Sequence, residues 1–386
     1  MIKEKYIDTI KSRVDISQLV MDLCPGTSLL NAGKNRKKCC CVFHSEKTPS
    51  LMLDLSLNMF KCFGCGKGGD IISFVQELKG FDFVEAVKFL LKTYCPDVDT
   101  SDLYSKQTDE EIEAEHHRES LFICNKFAYD FFRQQYEADC EESARCRLYA
   151  EGRWEREFCK TLGLGYAPLK GNQFLAFARK QGLKTELLLE LGLIAQEEDH
   201  PDHYYDFYRG RLMIPQRDRY GRIVTFTARS LNPQATNKYL NGKDSPIYKK
   251  SLSIFGIDVA LKAARQSGKV YLVEGAPDVM RLQSLGIPNV VASLGGAWSK
   301  EQLNTFSRFG CSLCFIPDAD VPKEGERFGK GEQFVFKNGR LATELGFRVS
   351  VREIPTNGKV KHDADSYITS MEQWETLTEK DFILWY

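Results

Sequence analysis

A multidomain fold of mixed class is predicted, α+β in its first two parts and α/β in its last, and three features of the 386-residue chain predict it. Two closely spaced Cys/His pairs between residues 41 and 65 call for a small metal-stapled, zinc-ribbon-like N-terminal domain. Helical periodicity followed by short β-rich segments with Gly, Asn and Pro punctuation predicts a mixed α+β middle. From Gly268 onward strands and helices alternate, which indicates an α/β domain on a parallel sheet covered by helices.

Composition excludes several classes. A chain with 42% hydrophobic and 27% charged residues is neither disordered nor fibrous, and its length exceeds that of a disulfide miniprotein. No apolar run approaches the ~18 residues of a membrane span, and the opening MIKEKYIDTIKSR has no apolar signal core. A cytoplasmic protein with no membrane partner is expected. Thirteen cysteines, odd in number and unevenly placed, favour metal binding over a disulfide framework. Net charge is zero, with 53 basic and 53 acidic residues, so only its distribution informs. Residues 151–270 carry 20 basic and 13 acidic side chains, residues 271–386 carry 13 and 16, and residues 101–150 carry 6 and 12.

The order of segments follows. Residues 1–98 open with Ile2, Tyr6 and Ile10 at helical spacing, continue through the cysteine-rich stretch, and end in a helical pattern from Asp70 through Leu91. Residues 99–117 are acidic and poor in large apolar side chains, as in a linker or an exposed helix start. Residues 118–267 form the basic subdomain, with RLMIPQRD and GRIVTFTAR as strands, and residues 268–368 form the α/β domain. Residues 369–386 are expected to be a tail.

Cys41-x2-His44 and Cys62-x2-Cys65 offer three thiolates and an imidazole, which fill a tetrahedral zinc and leave no open position. One structural zinc is expected. Buried reduced cysteines beside a chance histidine are the bland alternative, and Cys39 or Cys40 could stand in for Cys41. The stretch LMLDLSLNMFKC alternates like a strand returning the second pair to the first. Lys34, Arg36, Lys37 and Lys38, with Phe43, Phe60 and Phe63 nearby, suit a surface that meets phosphates and stacks bases, or a solvated basic face. Cys311-x2-Cys314 is no second site, because residues three apart on a strand point to opposite faces.

Glu274 ends the strand KVYLV, with Asp278 opening the next helix. Asp318 and Asp320 end CSLCFIP, and Asp363 and Asp365 follow FRVSVREIP. In open parallel sheets ligands sit beyond the carboxyl ends of the strands. So many acids in one place repel one another unless cations neutralise them, and oxygen donors suit Mg²⁺ or Mn²⁺. A centre with two or more such ions, working on phosphoryl transfer, is the expectation. The alternative for any single pair is a solvated turn or helix cap.

These residues resemble the DnaG-type bacterial primases over almost the whole chain. CVFHSEKTPS and KCFGCGKGGDIISFV resemble that family's zinc-binding domain, FYRGRLMIPQRDRYGRIVTFTAR with NKYLNGKDSPIYKK its basic polymerase subdomain, and VEGAPDV, IPDAD and HDADSYI its Toprim domain. The resemblance implies synthesis of short RNA primers on a single-stranded DNA template from ribonucleoside triphosphates. It makes Glu274, Asp318 and Asp320 the main catalytic and metal-site candidates, with Asp278, Asp363 and Asp365 completing the acidic set. Arg209, Arg211, Lys238 and Asn241, with Lys249 and Lys250, are the candidates for nucleotide and template phosphates. Glu274 is the best candidate for a general base.

Three departures stand out. Ala276 and Pro277 replace an aromatic and a methionine; VPKEGERFGKGEQ after Asp320 is longer and more charged than usual; and only 21 residues follow Asp365. The last puts recruitment of a replicative helicase by the family's usual route in doubt and leaves a non-standard contact as the alternative. Such compactness suggests a phage, plasmid or mobile-element form, or a subunit completed by a partner, with a chromosomal origin left open. Two competing functions are a Toprim-type nuclease and a non-catalytic single-stranded-DNA-binding accessory protein. A topoisomerase is disfavoured by length, and an ATP-coupled nuclease by the lack of a Gly-x4-Gly-Lys-Ser/Thr motif.

Overall fold

Apolar residues at helical spacing set the first elements. Tyr6 and Ile10 of α1 (Glu4–Arg13) and Ile16, Leu19 and Val20 of α2 (Ile16–Leu23) are buried, and the Asp15 carboxylate caps α2 by accepting the Ser17 and Gln18 N–H groups. The computed structural model describes residues 2–385 except 105–108, 308–309, 323–324, 326 and 356–360. Contacts divide the chain into two compact units, Met1–Glu113 and Ala114–Tyr386. Part of the expected linker 99–117 lies outside the described residues, and its acidic end is the first turn of a helix.

In the first unit an antiparallel sheet runs β1 (Leu30–Asn31), β2 (Arg36–Cys39), β3 (Leu51–Asp54), β4 (Met59–Cys62), β5 (Gly68–Asp70) in that order. The alternating stretch 51–62 is a hairpin and not one strand. Asp54 accepts the Ser56 and Leu57 N–H groups, and Asn58 at φ 54° turns the chain back. The helical pattern after Asp70 is likewise two helices, α3 (Ile71–Lys79) and α4 (Phe83–Tyr94). Gly80 at φ 70° ends the first, and Asp82 with Glu85 forms a capping box that starts the second. Phe43, Phe60 and Phe74 pack together with ring centroids 5.2–5.4 Å apart, so Phe43 and Phe60 belong to the core. Of the three aromatics expected at the basic surface, Phe63 alone is mainly exposed, at 74%.

Helix α5 (Asp109–Glu137) starts in the last residues of the first unit and continues into the second, which goes on with α6 (Glu141–Glu151) and α7 (Arg156–Leu162), then β6 (Gly165–Ala167), α8 (Gln173–Lys180) and α9 (Thr185–Glu190). A two-stranded ribbon of β7 (Ile194–Gln196) and β8 (Tyr204–Asp206) precedes β9 (Arg211–Arg217), β10 (Ile223–Ser230) and β11 (Tyr239–Asn241). The antiparallel sheet β11-β10-β9-β6 buries both faces of β9 and β10, as their near-continuous apolar runs require. Phe132, Phe174 and Phe226 pack on it with centroids 5.4–5.6 Å apart.

Then come α10 (Ile257–Ser267), β12 (Lys269–Val273), α11 (Ala276–Ser284), β13 (Val290–Ala292), α12 (Lys300–Ser307), β14 (Ser312–Phe315), α13 (Lys330–Glu344) and β15 (Val349–Arg352). The sheet order is β13-β12-β14-β15, all parallel, so β12, β14 and β15 deliver their carboxyl ends side by side. Helices α14 (Ala364–Tyr367) and α15 (Met371–Thr376) follow, then β16 (Glu379–Asp381) and α16 (Phe382–Trp385).

Two of the expected segments are tied closely to their neighbours. Residues 369–385 are no loose tail: β16 pairs antiparallel with β15, Lys269 pairs with Glu379 at 2.7 Å, and buried Trp374 packs edge-on against Tyr271 at 4.9 Å. Nor do residues 118–267 and 268–368 separate into units, because one core joins Trp154, Tyr166 and Leu212 to Val279, Ile316 and Ile368.

Helix α13 starts against the turn that follows β14. A Cβ on Gly331 would stand 2.1 Å from the Asp318 carbonyl oxygen, whereas one on Gly295 meets nothing nearer than 3.7 Å. Gly331→Ala is therefore expected to destabilise the chain by about 1–3 kcal/mol. Gly295→Ala is expected to be near neutral, both read from denaturant unfolding of the full chain.

Candidate active site and metal centres

The end of β4 with the turn leading to β5, and the segment before β3, bring Cys41, His44, Cys62 and Cys65 together, with one donor atom of each within 4.8 Å of the others. Cys41 Sγ lies 3.8 Å from Cys65 Sγ, and His44 Nδ1 lies 3.9 Å from Cys62 Sγ. Two sulfurs on one tetrahedral zinc stand ~3.8 Å apart, so this donor set fits a closed structural site. Cys39 and Cys40 are outside the group. Burial pushes the Cys41 thiol up to about 12. Burial works the same way on Cys62, but the Ser50 hydroxyl and the Cys65 N–H overcome it and hold that thiol at about 7. Crowded thiols divide in this way because their anions repel until a cation joins them.

Two supporting residues are invisible to motif spacing. Glu46 Oε2 lies 3.2 Å from His44 Nε2, while Glu46 Oε1 accepts the N–H groups of Cys41 at 2.6 Å and Ser50 at 3.0 Å. The carboxylate thus fixes the imidazole with Nδ1 turned to the sulfurs. Gly64 makes room for it: a Cβ there would be 2.8 Å from His44 Nε2.

In the second unit, Glu274, Asp318 and Asp320 each place a carboxylate oxygen within 4.8 Å of the other two. Oxygens on one octahedral Mg²⁺ stand ~2.9 Å apart when adjacent and ~4.2 Å when opposite, so the group fits with small adjustments. Backbone anchors orient it: Glu274 Oε1 lies 3.5 Å from the Asp318 N–H, and Asp320 Oδ2 accepts the Gly331 N–H at 3.0 Å, at the start of α13. Lys361 Nζ stands 3.1 Å from Asp318 Oδ2 and 2.8 Å from Asp320 Oδ1. Burial, reinforced by Asp318 and Asp320, lifts the Glu274 carboxyl to about 7. Burial also raises Asp318 to about 6, against the opposing pull of Lys361.

The other three acids are arranged differently. Asp278 is buried and accepts the N–H groups of Gly275 at 3.1 Å and Asp365 at 3.0 Å, tying two of the acidic loops together. Burial and the neighbouring carboxylates Asp318 and Asp363 hold its own carboxyl far above the usual range. Asp363 caps α14 through the Ser366 N–H at 2.8 Å. Asp365 is 1% exposed and turned away: Arg153 and the Trp154 Nε1–H donate to its carboxylate, and Arg281 Nε is 3.4 Å from it.

Those partners reveal a basic face that residue spacing alone does not. The Tyr149 hydroxyl accepts from Arg153 Nη1 and from Arg229 Nε, each at 3.0 Å, so Tyr149 and Arg153 link β10 to Asp365. Arg229 lies 4.9 Å over the Tyr239 ring, and its buried Nη1 has no hydrogen-bond partner among the described residues. Of the expected basic residues, Lys250 has its Cε 3.7 Å from the position of a Cβ on Gly295, in the loop after β13. Lys238 and Lys249 are exposed. Arg211 is spent on the Ala228 and Asn237 carbonyls, Asn241 accepts from Thr227, and Arg209 donates to Asn172 and covers Tyr205.

Comparison with known proteins agrees with this layout. Residues 2–106 match the family described as CHC2 zinc finger, residues 103–261 the DNA primase catalytic core, N-terminal domain, and residues 271–368 the Toprim-like family. A DNA primase of Clostridium acetobutylicum is 30% identical over 369 residues, which is 95% of this chain and 57% of that protein. The chain thus spans somewhat over half the length of that relative. The crystal structure of the zinc-binding and RNA polymerase domains of Aquifex aeolicus primase is similar at a TM-score of 0.58 and 27% identity, covering 97% of this chain and 86% of that one. A DnaG primase catalytic domain bound to single-stranded DNA shares the fold at a TM-score of 0.57 and 23% identity, over 69% of this chain and 81% of that one. Among the described residues no helix is long and apolar enough to cross a membrane.

Removing the Glu46 carboxylate is expected to weaken zinc retention about 10- to 100-fold in chelator competition, with Glu46→Gln milder than Glu46→Ala because its amide oxygen still accepts from the imidazole. Divalent binding at the acidic centre requires carboxylates, and two of these are held above their ordinary range. Mg²⁺ affinity, followed by calorimetry, should therefore climb between about pH 5 and pH 8 with release of protons.

Proposed function

Because the chain belongs to the DnaG-type DNA primases, we propose that it synthesises short RNA primers on single-stranded DNA from ribonucleoside triphosphates in the cytoplasm. Mg²⁺ or Mn²⁺ serves the acidic centre, and one zinc holds the first unit together. The observation that carries this reading is the meeting of Glu274, Asp318 and Asp320 at the ends of adjacent parallel strands. The Tyr149–Arg153–Asp365 linkage holds the basic sheet next to them.

Divalent ions, when bound, supply positive charge to the α-phosphoryl oxygens and to the departing pyrophosphate. The protein's own groups do the rest. Asp318 and Asp320 hold their carboxylates on rigid strand ends, so the donor geometry exists before the nucleotide arrives. Glu274, with its carboxyl lifted to about 7, is suited to accept the proton of the primer 3′-hydroxyl near neutral pH. Arg229, whose buried Nη1 is unpaired among the described residues, and Lys250 beside the loop after β13 are the cations best disposed to take triphosphate oxygens. Arg209 and Arg211 already have protein partners, which makes them supports for the basic sheet and ribbon. In the first unit, exposed Phe63 and the Lys34 to Lys38 cluster are the groups proposed to meet the template.

The purified chain, incubated with a single-stranded template, labelled ribonucleotides and Mg²⁺, is expected to yield short labelled oligoribonucleotides. Shortened template would point to a nuclease, and neither product to a binding protein. Asp318→Asn and Asp320→Asn should each abolish synthesis while leaving template binding within about twofold, because the template is held mainly through cations elsewhere.

A further inference from the structure

Lys361 occupies a place that a metal-site carboxylate pair would not be expected to leave to a side chain. Its ammonium bridges Asp318 Oδ2 and Asp320 Oδ1, and both carboxylates are nearly buried, at 12% and 10% exposure. Those two oxygens belong to the group that fits a divalent ion. An ion bound at ~2.1 Å to the same oxygens would stand within a few ångströms of the ammonium, and the two positive charges would repel in a partly desolvated pocket. Both cannot hold the pair together.

The surroundings permit an exchange. The Lys361 side chain is 55% exposed, so its flexible stem can carry the ammonium back into water. The backbone beside it is pinned: Ala319 N–H donates to the His362 carbonyl at 2.7 Å and His362 N–H to the Ala319 carbonyl at 3.3 Å, a bridge across the middle residue of the Asp-Ala-Asp turn. The next residue is thereby tethered to the turn, and a displaced ammonium stays near the mouth of the site.

Resting on the primase reading, we propose that Lys361 is an internal counter-cation that neutralises the Asp318–Asp320 pair before metal arrives, that a divalent ion displaces it, and that the freed ammonium then faces the polyphosphate of the incoming nucleotide. Lysine and metal compete for the same oxygens, so the apparent metal affinity is lowered by the fraction of molecules in which the lysine holds the pair.

The test uses the full chain without nucleotide. Mn²⁺ binding, followed by electron paramagnetic resonance, is expected to tighten by about three- to thirtyfold in Lys361→Met, since the competitor is gone. In the unaltered chain, saturating Mg²⁺ should raise the acetylation rate of Lys361 by mass spectrometry, and Asp320→Asn should raise it without metal. Unchanged or weaker Mn²⁺ binding in Lys361→Met, or a Lys361 reactivity indifferent to Mg²⁺, overturns the proposal. A chain that binds Mn²⁺ normally yet makes no primers under any condition would instead remove the primase reading and leave the exchange standing.

Discussion

Negative charge gathered at the carboxyl ends of β12, β14 and β15 is the constraint around which the second unit is organised. Parallel pairing brings Glu274, Asp318 and Asp320 together, and the low dielectric around Glu274 and Asp318 makes those two resist ionisation. The fold answers with fixed positive ends: the Gly331 N–H at the start of α13, the Asp318 N–H, and the Lys361 ammonium. It also separates roles among the acids. Asp278 and Asp365 are consumed in holding loops, so the oxygens left to a ligand come from fewer residues than the count of strand-end acids suggests.

The first unit meets a different problem. Its sheet is made of strands of two to four residues, too short to stand without help from α1, α3 and α4 and from a cross-link near one end. The Cys41–Cys65 cluster supplies that cross-link, and Glu46 joins the imidazole to two backbone amides, so ligand geometry and loop geometry are one arrangement.

Much of this is legible in residue order. The two-residue spacers announce the Cys/His pairs, and strand–helix alternation announces the parallel sheet. What spacing cannot convey is which way a carboxylate turns. Asp363 and Asp365 read alike, yet one caps a helix near the surface and the other is buried under Arg153 and Trp154, more than two hundred positions earlier in the chain. The hairpin inside 51–62 is hidden because Asp54 and Asn58 interrupt an alternation that otherwise continues through them. Arg229 stands within a recognisable segment, but its importance comes from Tyr149 on α6, a contact no local pattern encodes. Lys361 is hidden for the same reason: the Ala319–His362 bridge, a long-range contact, brings its segment to the Asp-Ala-Asp turn.

The antiparallel strand β16 has a consequence for how the molecule behaves among its neighbours. It covers the side of β15 that would otherwise offer free amides and carbonyls, and it is itself only Glu379, Lys380 and Asp381, all exposed. A strand that short and wholly charged is a poor template for another chain's backbone. The outer margin of the sheet that bears the acidic centre is thus finished with a hydrophilic hem, which guards it against sticking edge to edge in crowded solution.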